Sequence, residues 1–347
     1  MKEILILTGI EPNKDNKGGP SGLIWEIIER LKSRYSLTIK IKKISSNLNK
    51  LGLFKTSNAD YTKYDLIFVY PFSLSFYVDK KFRYKTIVLG PDSPSLLFYR
   101  FYVHSDTLKS RIKNFILFNW FLIREKQILR EFKKFVVVGK NDTRWLKCTS
   151  KVKYLTHPIL NSIINNNNKY INIDNKKTLV FSGDMSPKYT GNLIFDIYKQ
   201  LNKKEYFNLP IIVVGKNNKW IFELFYKSKF TNLKYISWID DYNEICNPLH
   251  HIHVIPLLNG AGTKNRTLTA CAKGVPIITT QIGFENIHYS KPLNKILKFK
   301  TGDDFINKLN SLLDITFDIN ETNRNKFILN VNTKFEIDLL EIIEENL

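Results

Sequence analysis

The residues best suited to chemistry are concentrated between 253 and 285, in HVIPLLNGAGTKNRTLTACAKGVPIITTQIGFE. An apolar strand over His253 to Leu257 runs into an Asn-Gly-Ala-Gly-Thr turn, and a helix is predicted from Lys264 to about Lys273 with Thr263 as its N-cap. Gly260 and Gly262 free the backbone N–H groups for close approach, while Lys264 and Arg266 add cations beside the positive end of the helix dipole. In physical terms this is a phosphate cradle. A second glycine-bearing loop, KGGPSG, sets Gly18 and Gly19 before an apolar stripe at helical spacing (Leu23, Ile24, Ile27, Ile28, Leu31). It either approaches an anion or is a flexible turn, and it lacks the GxGxxG spacing of a dinucleotide fingerprint. Lys188, in SGDMSPKYTGN, is placed either to meet an anionic ligand or to be a solvated loop lysine. Asp92, in GPDSPS, is a general-base candidate toward a hydroxyl, with Asp15 second, or else a turn or helix cap. Glu285 suits ligand hydroxyls or its own turn. His250, His251 and His253 invite a metal, but no carboxylate or cysteine spacing completes a site, so no metal is expected there.

These side chains need a scaffold, and the apolar runs supply one. Ile/Val-rich runs at 4–7, 37–44, 66–70, 86–89 and 135–138, and again at 178–181, 211–214, 235–238, 253–257, 275–279 and 296–299, alternate with helical patterns. That alternation predicts parallel α/β units, in which ligands bind beyond the carboxyl ends of the strands. The Asn-rich stretch 161–177 separates the two sets and is read as a linker. The expected division is 1–160, linker 161–177, 178–330, and a final acidic helix at 331–347.

The chain has 347 residues and a net charge of +21, and the charge is uneven. Residues 1–173 hold 31 Lys and Arg against 13 Asp and Glu, whereas the rest hold 22 against 19. Such an excess marks a polyanionic partner, an anionic membrane surface or nucleic acid. Between Leu96 and Phe135 nine cations meet three acids and ten aromatic rings. This suits a monotopic membrane contact, a single-stranded nucleic acid grip, or ordinary helices with a solvated basic face. Three scattered cysteines (Cys148, Cys246, Cys271) give neither a disulfide framework nor metal spacing, which favours a reducing cytoplasm. The first residues are too short an apolar run for a signal peptide, and no run reaches the ~18 residues of a membrane span.

The order Pro256-Leu257, Gly260 to Lys264, Leu268, Ala270, Ala272, Gly274, Pro276, Thr279-Thr280, Gly283 and Glu285 resembles the nucleotide-binding domain of GT-B glycosyltransferases, of the retaining family 4 type. Ser182 to Met185 with Asn192, the Trp238 to Asp241 turn, Gly18-Gly19, VVVGKNDTRWL and Thr156-His157-Pro158 extend the resemblance weakly over nearly the whole chain. It implies two doubly wound Rossmann-like domains facing a shared cleft, with the C-terminal helix returning to the first domain. It also implies a nucleotide-diphosphate sugar donor, UDP- or GDP-linked, with no further cofactor. The donor-binding positions carried over are Gly18, Gly19, Gly183, Lys188, Trp238, Ile239, Gly260, Ala261, Gly262, Thr263, Lys264, Arg266, Thr269 and Glu285. One departure stands out: the family's two glutamates, with seven residues between them, correspond to Ala261 and Thr269, neither acidic.

The expected reaction is transfer of a sugar to a lipid-linked or cell-surface glycan. Lys188, Lys264 and Arg266 would act on the leaving diphosphate without a metal, and Asp92 would serve as base if the anomeric centre inverts. The expected location is the inner face of a bacterial cell membrane; the Lys, Asn and Ile enrichment suggests an AT-rich genome and, by compositional association, a bacterial surface-polysaccharide cluster. Two other readings are a catalytically weakened binding partner and a glycosyltransferase acting on nucleic acid.

Overall fold

The computed structural model describes residues 1–13, 19–44, 51, 53, 56–147, 149–160, 170–173, 176–287, 296–315 and 321–347. The chain divides into two compact units, one of Met1–Leu160, Ala261–Thr263 and Asn330–Leu347, the other of Asn161–Gly260 and Lys264–Leu329. Gly18, Asp15, Cys148 and most of the 161–177 stretch lie outside the described residues.

The first unit holds a six-stranded parallel sheet of β1 (Glu3–Thr8), β2 (Ser36–Ile41), β3 (Leu66–Tyr70), β4 (Thr86–Leu89), β5 (Lys134–Val137) and β6 (Val152–Tyr154), in the order β2-β1-β3-β4-β5-β6. Successive side chains leave a strand on opposite faces. Ile4 and Ile6 therefore join α1 (Pro20–Leu31) through Leu23, Ile24, Ile27 and Leu31, while Leu5 and Leu7 pack with Leu74, Val78 and Phe82. The second face is closed by α2 (Pro94–Val103) and α3 (Leu108–Glu131), whose Phe121 and Ile128 meet Val88, Phe135 and Val137. A short helix, α4 (Lys140–Trp145), follows β5.

The second unit repeats the architecture with β7 (Thr178–Phe181), β8 (Ile211–Val214), β9 (Leu233–Ile236), β10 (His251–Ile255), β11 (Ile277–Thr279) and β12 (Ile296–Lys298), all parallel, in the order β12-β11-β10-β7-β8-β9. Its helices are α5 (Pro187–Thr190), α6 (Leu193–Leu201), α7 (Lys219–Tyr226), α8 (Asn265–Lys273) and α9 (Gly302–Leu313). α6, α7 and α9 bury Ile194, Ile197, Phe225, Phe305 and Leu309 against Leu179, Phe181, Ile211 and Val213.

The last helix, α10 (Glu321–Glu344), belongs from Asn330 onward to the first unit, where Phe335, Leu339, Ile342 and Ile343 share the core of Ile4, Ile6 and Ile24. The acids of residues 330–347 tie this segment to the first unit. Glu336 pairs with Arg30 (3.4 Å), Glu345 with Lys153 (2.8 Å), and Asp338 accepts from the Thr156 N–H and hydroxyl (3.1 and 2.6 Å).

Four strands, β3, β4, β7 and β8, have the limits their apolar runs predict. The run to Ile44 ends as strand at Ile41, because β2 is an edge strand paired with β1 alone. β9 stops at Ile236, which leaves Trp238 beyond the strand. β6 is three residues long and carries too little apolar pattern to be read from sequence. Cys246 and Cys271 are buried free thiols. Among the described residues no helix is long and apolar enough to cross a membrane.

Candidate functional site

In an open parallel sheet the crevice for a ligand opens where neighbouring strands send their connections in opposite directions. In the second unit that point lies between β7 and β10, so the crevice is flanked by the loops after these two strands. They carry Gly183 and Lys188 on one side, Gly260, Lys264 and Arg266 on the other.

After β7 the chain turns at Gly183, whose φ of 83° is left-handed. Any Cβ there would also strike the Arg266 guanidinium. Arg266 lies across this glycine because it donates to the Ser182 carbonyl and, at 3.2 Å, to the Asp184 carbonyl. The planar fork of an arginine makes such a clamp more rigid than a lysine would. The buried Asn218 carboxamide holds the same turn from beneath, donating to the Gly183 and Val214 carbonyls (2.5 and 2.6 Å) and accepting from the Met185 N–H (2.9 Å). Asn218 carried no sequence signal: it lies 35 residues from Gly183 in a polar KNNK run.

The loop after β10 is tied to α5. Asn259 donates through its side chain to the Lys188 carbonyl (2.8 Å), and the Leu258 and Asn259 N–H groups donate to the Tyr189 carbonyl (2.8 and 3.0 Å). Lys188 itself is exposed, with its ammonium over the Tyr189 ring. Lys264 passes directly over Gly260, where a Cβ would lie 2.8 Å from its Cε, and its ammonium faces Glu285 at 3.8 Å with both side chains nearly buried. Glu285 is thus the counter-charge of Lys264. α8 begins at Asn265, one residue later than predicted, with Lys264 at the cap position.

Thr263 is not the cap. With Ala261 and Gly262 it groups with the first unit, where its hydroxyl donates to the Val138 carbonyl (2.6 Å) and the Gly262 N–H donates to the Asp142 carboxylate (3.1 Å). Ala261 and Thr269 are both buried, Thr269 within α8. Trp238 is exposed after edge strand β9, its indole donating to Asp240 at 2.9 Å, whereas Ile239 packs with Val180 and Ile212. The histidines serve the core: His251 meets the Ile171 carbonyl (2.9 Å) and His253 the Ile245 carbonyl (2.6 Å), and burial pushes their pKa values down to about 4 and about 3.

The corresponding end of the first unit holds Asp92, half-buried after β4. The turn that carries it is fastened by two buried carboxylates that the sequence did not single out. Glu125, on α3, accepts from the Ser93 hydroxyl (2.8 Å), the Ser95 N–H (3.1 Å) and the Ser95 hydroxyl, and the Trp145 indole donates to that same hydroxyl (2.7 Å). Asp142 accepts from the Ser93 N–H (2.7 Å). Burial lifts the Glu125 carboxyl to about 7 against those hydrogen bonds, with the Asp142 charge adding to the rise. Tyr70, the last residue of β3, is buried, and its phenol is pushed upward first by burial and then by the charge of Asp92. Gly19 precedes α1 with φ 84° and open space where a Cβ would stand.

Comparison with known proteins fits this geometry. Residues 176–314 match the family model "Glycosyl transferases group 1". No curated protein sequence matches the chain. Among solved structures it is similar to WaaG, a glycosyltransferase involved in lipopolysaccharide biosynthesis (10% identity, 97% of this chain and 95% of that one, TM-score 0.59). It is likewise similar to Anabaena Alr3699/HepE in complex with UDP-glucose (10% identity, 99% of each chain, TM-score 0.57) and to the trehalose-6-phosphate synthase OtsA (9% identity, 100% and 99%, TM-score 0.63). At such identities the likeness is one of fold, and that fold is GT-B.

Proposed function

We propose that this chain, with a GT-B fold throughout and the glycosyl transferases group 1 match over residues 176–314, transfers a sugar from a nucleotide-diphosphate donor. The donor is UDP- or GDP-linked, and the acceptor is a lipid-linked or cell-surface glycan of the bacterial polysaccharide, O-antigen or capsule type. The enzyme works peripherally at the inner face of the cell membrane. The observation that carries the reading is the pair of cations fixed over glycines at the switch point of the second sheet, Arg266 over Gly183 and Lys264 over Gly260.

As the bond from the anomeric carbon to the diphosphate oxygen breaks, negative charge grows on the leaving group. Fixed cations and helix N–H groups stabilise that charge without reorganising, which is where such sites gain most. Arg266 is held by two carbonyls and keeps its full charge for a ligand; Lys264, held by Glu285, is already oriented. Lys188 is the third cation, exposed beside them. In an inverting course Asp92 takes the acceptor proton; in a retaining course no such base is required. The WaaG likeness and the excess of cations in residues 1–173 support a surface-glycan acceptor and a membrane setting.

The test is sugar release and transfer from a panel of UDP- and GDP-sugars with lipid-linked acceptors, alongside calorimetric titration with the nucleotides. Turnover with one donor is expected; absence of both turnover and nucleotide binding refutes the reading. A second reading, a weakened binding partner, is favoured by Ala261 and Thr269, where a carboxylate would otherwise grip the donor more strongly than a neutral hydroxyl can. Nucleotide binding with neither hydrolysis nor transfer would select it.

A further inference from the structure

Helix α3 is apolar on two sides, and only one of them faces the protein. Phe121 and Ile128 are buried in the first unit, and Glu125 between them is fully enclosed. At 100° per residue, Leu108, Ile112, Phe115, Ile116 and Ile123 fall on the opposite side, within an arc about 100° wide. These five are between 48% and 74% exposed. The strip runs over the first four turns, about 22 Å at 1.5 Å per residue. Exposed cations border it: Lys109 and Lys113 on one flank, Arg111 on the other, Lys126 at its far end.

We infer that this strip is a membrane-docking surface, with the aliphatic side chains entering the interface of an anionic bilayer and the flanking cations resting on its phosphates. Amphipathic helices bind lipid through that combination, apolar area plus attraction to anionic headgroups. Helices α2 and α3 together carry seven cations and two acids. Both acids are already engaged, Glu125 in the buried serine cluster and Glu131 with Arg83.

The charge and the chemistry of the strip select this occupant over two others. A second copy would bring like charges together around the shared apolar strip. Single-stranded nucleic acid needs exposed aromatic faces for its bases. Here most rings are spent on each other: Phe98 stacks on Phe121 (5.2 Å), Tyr99 meets Trp145 (5.0 Å), and Phe101 meets Phe98 (5.8 Å). What remains outside is mainly aliphatic, which suits hydrocarbon.

The experiment is flotation of the full chain with vesicles of phosphatidylcholine alone and of phosphatidylcholine containing about one-third phosphatidylglycerol. The wild type should float with the anionic vesicles and stay behind with the neutral ones. The variant Leu108→Ser, Ile112→Ser, Ile116→Ser, Ile123→Ser and the variant Lys109→Glu, Arg111→Glu, Lys113→Glu should each lose binding about tenfold or more. Circular dichroism confirms that each remains folded, as expected for exposed positions. UDP titration reports on the donor site separately, so a failed glycosyltransferase reading would leave this result standing. Failure of the wild type to float, or undiminished flotation of the aliphatic variant, overturns the proposal. So does a concentration-dependent dimer, or retention of single-stranded DNA, that is lost in the aliphatic variant.

Discussion

Replacing Glu125 with Gln probes the buried cluster that fastens the Asp92 turn. In the folded protein burial lifts this carboxyl from 4.5 to about 7. The folded state therefore holds the proton more tightly than the unfolded chain does. Its contribution is fully present below pH 4.5, declines as pH rises to about 7, and is level above that. By linkage the decline amounts to roughly 3 kcal/mol. Gln is never ionised, so its stability lacks this slope while its carbonyl can still accept from Ser93 and Ser95. The wild type also contains buried neutral histidines, His157, His251 and His253, whose lowered pKa values act in the opposite sense. They are common to both proteins and cancel in the difference. Urea unfolding followed by tryptophan fluorescence is the assay, since the Trp145 indole donates to Ser95 within the cluster. The stability of Glu125→Gln relative to wild type should rise by roughly 3 kcal/mol between pH 4.5 and pH 8. A difference independent of pH would show that the carboxyl titrates where an exposed one does, and would refute the reasoning.

Gly183→Ala forces a Cβ into a left-handed turn and against the Arg266 guanidinium. The turn alone costs about 1–2 kcal/mol, and displacement of Arg266 should weaken UDP binding about tenfold or more by calorimetry. Asn218→Ala removes three hydrogen bonds from buried backbone groups, and an unfolding free energy lower by about 1–3 kcal/mol is expected from chemical denaturation. Glu285→Gln removes the counter-charge of Lys264 and should lower donor turnover more than Lys188→Ala, measured as kcat/KM, because Lys188 is exposed and Lys264 is held in place. Stability carried by the three buried histidines is present above pH 6.5 and should fall as pH drops toward 4, which His253→Gln should reduce in the same unfolding assay.

The fold was legible because each buried parallel strand is a short, continuous Ile/Val run, and such runs end sharply. β3, β4, β7 and β8 show it. Edge strands blur the signal: β2 has one neighbour, and β6 is three residues long. The glycines and cations of the loops after β7 and β10 could be read from spacing, because phosphate chemistry limits which residues suit a helix N-terminus. Their partners could not. Asn218, Glu125 and Asp142 become significant only when the sheet brings them to a turn 30 or more residues away, and no local pattern marks a buried polar group by its distant bond. The same limit explains Thr263, which has the composition of a cap but bonds to the Val138 carbonyl 125 residues earlier. The aromatic stretch from 96 to 135 divides in the structure as it could not in sequence, most rings turning inward and the aliphatics outward.

The placement of residues 330–347 has a consequence for how the protein is made. A ribosome delivers β1 to β6 first, yet the core that contains Ile4 and Ile6 also requires Phe335, Leu339, Ile342 and Ile343. Four such side chains are worth roughly 6–12 kcal/mol when buried, comparable to the entire net stability of a typical domain. The amino-terminal unit must therefore wait, with a bare apolar face, until the second unit has been synthesised. Vectorial synthesis inverts the order of completion: the first unit to emerge is the last to close.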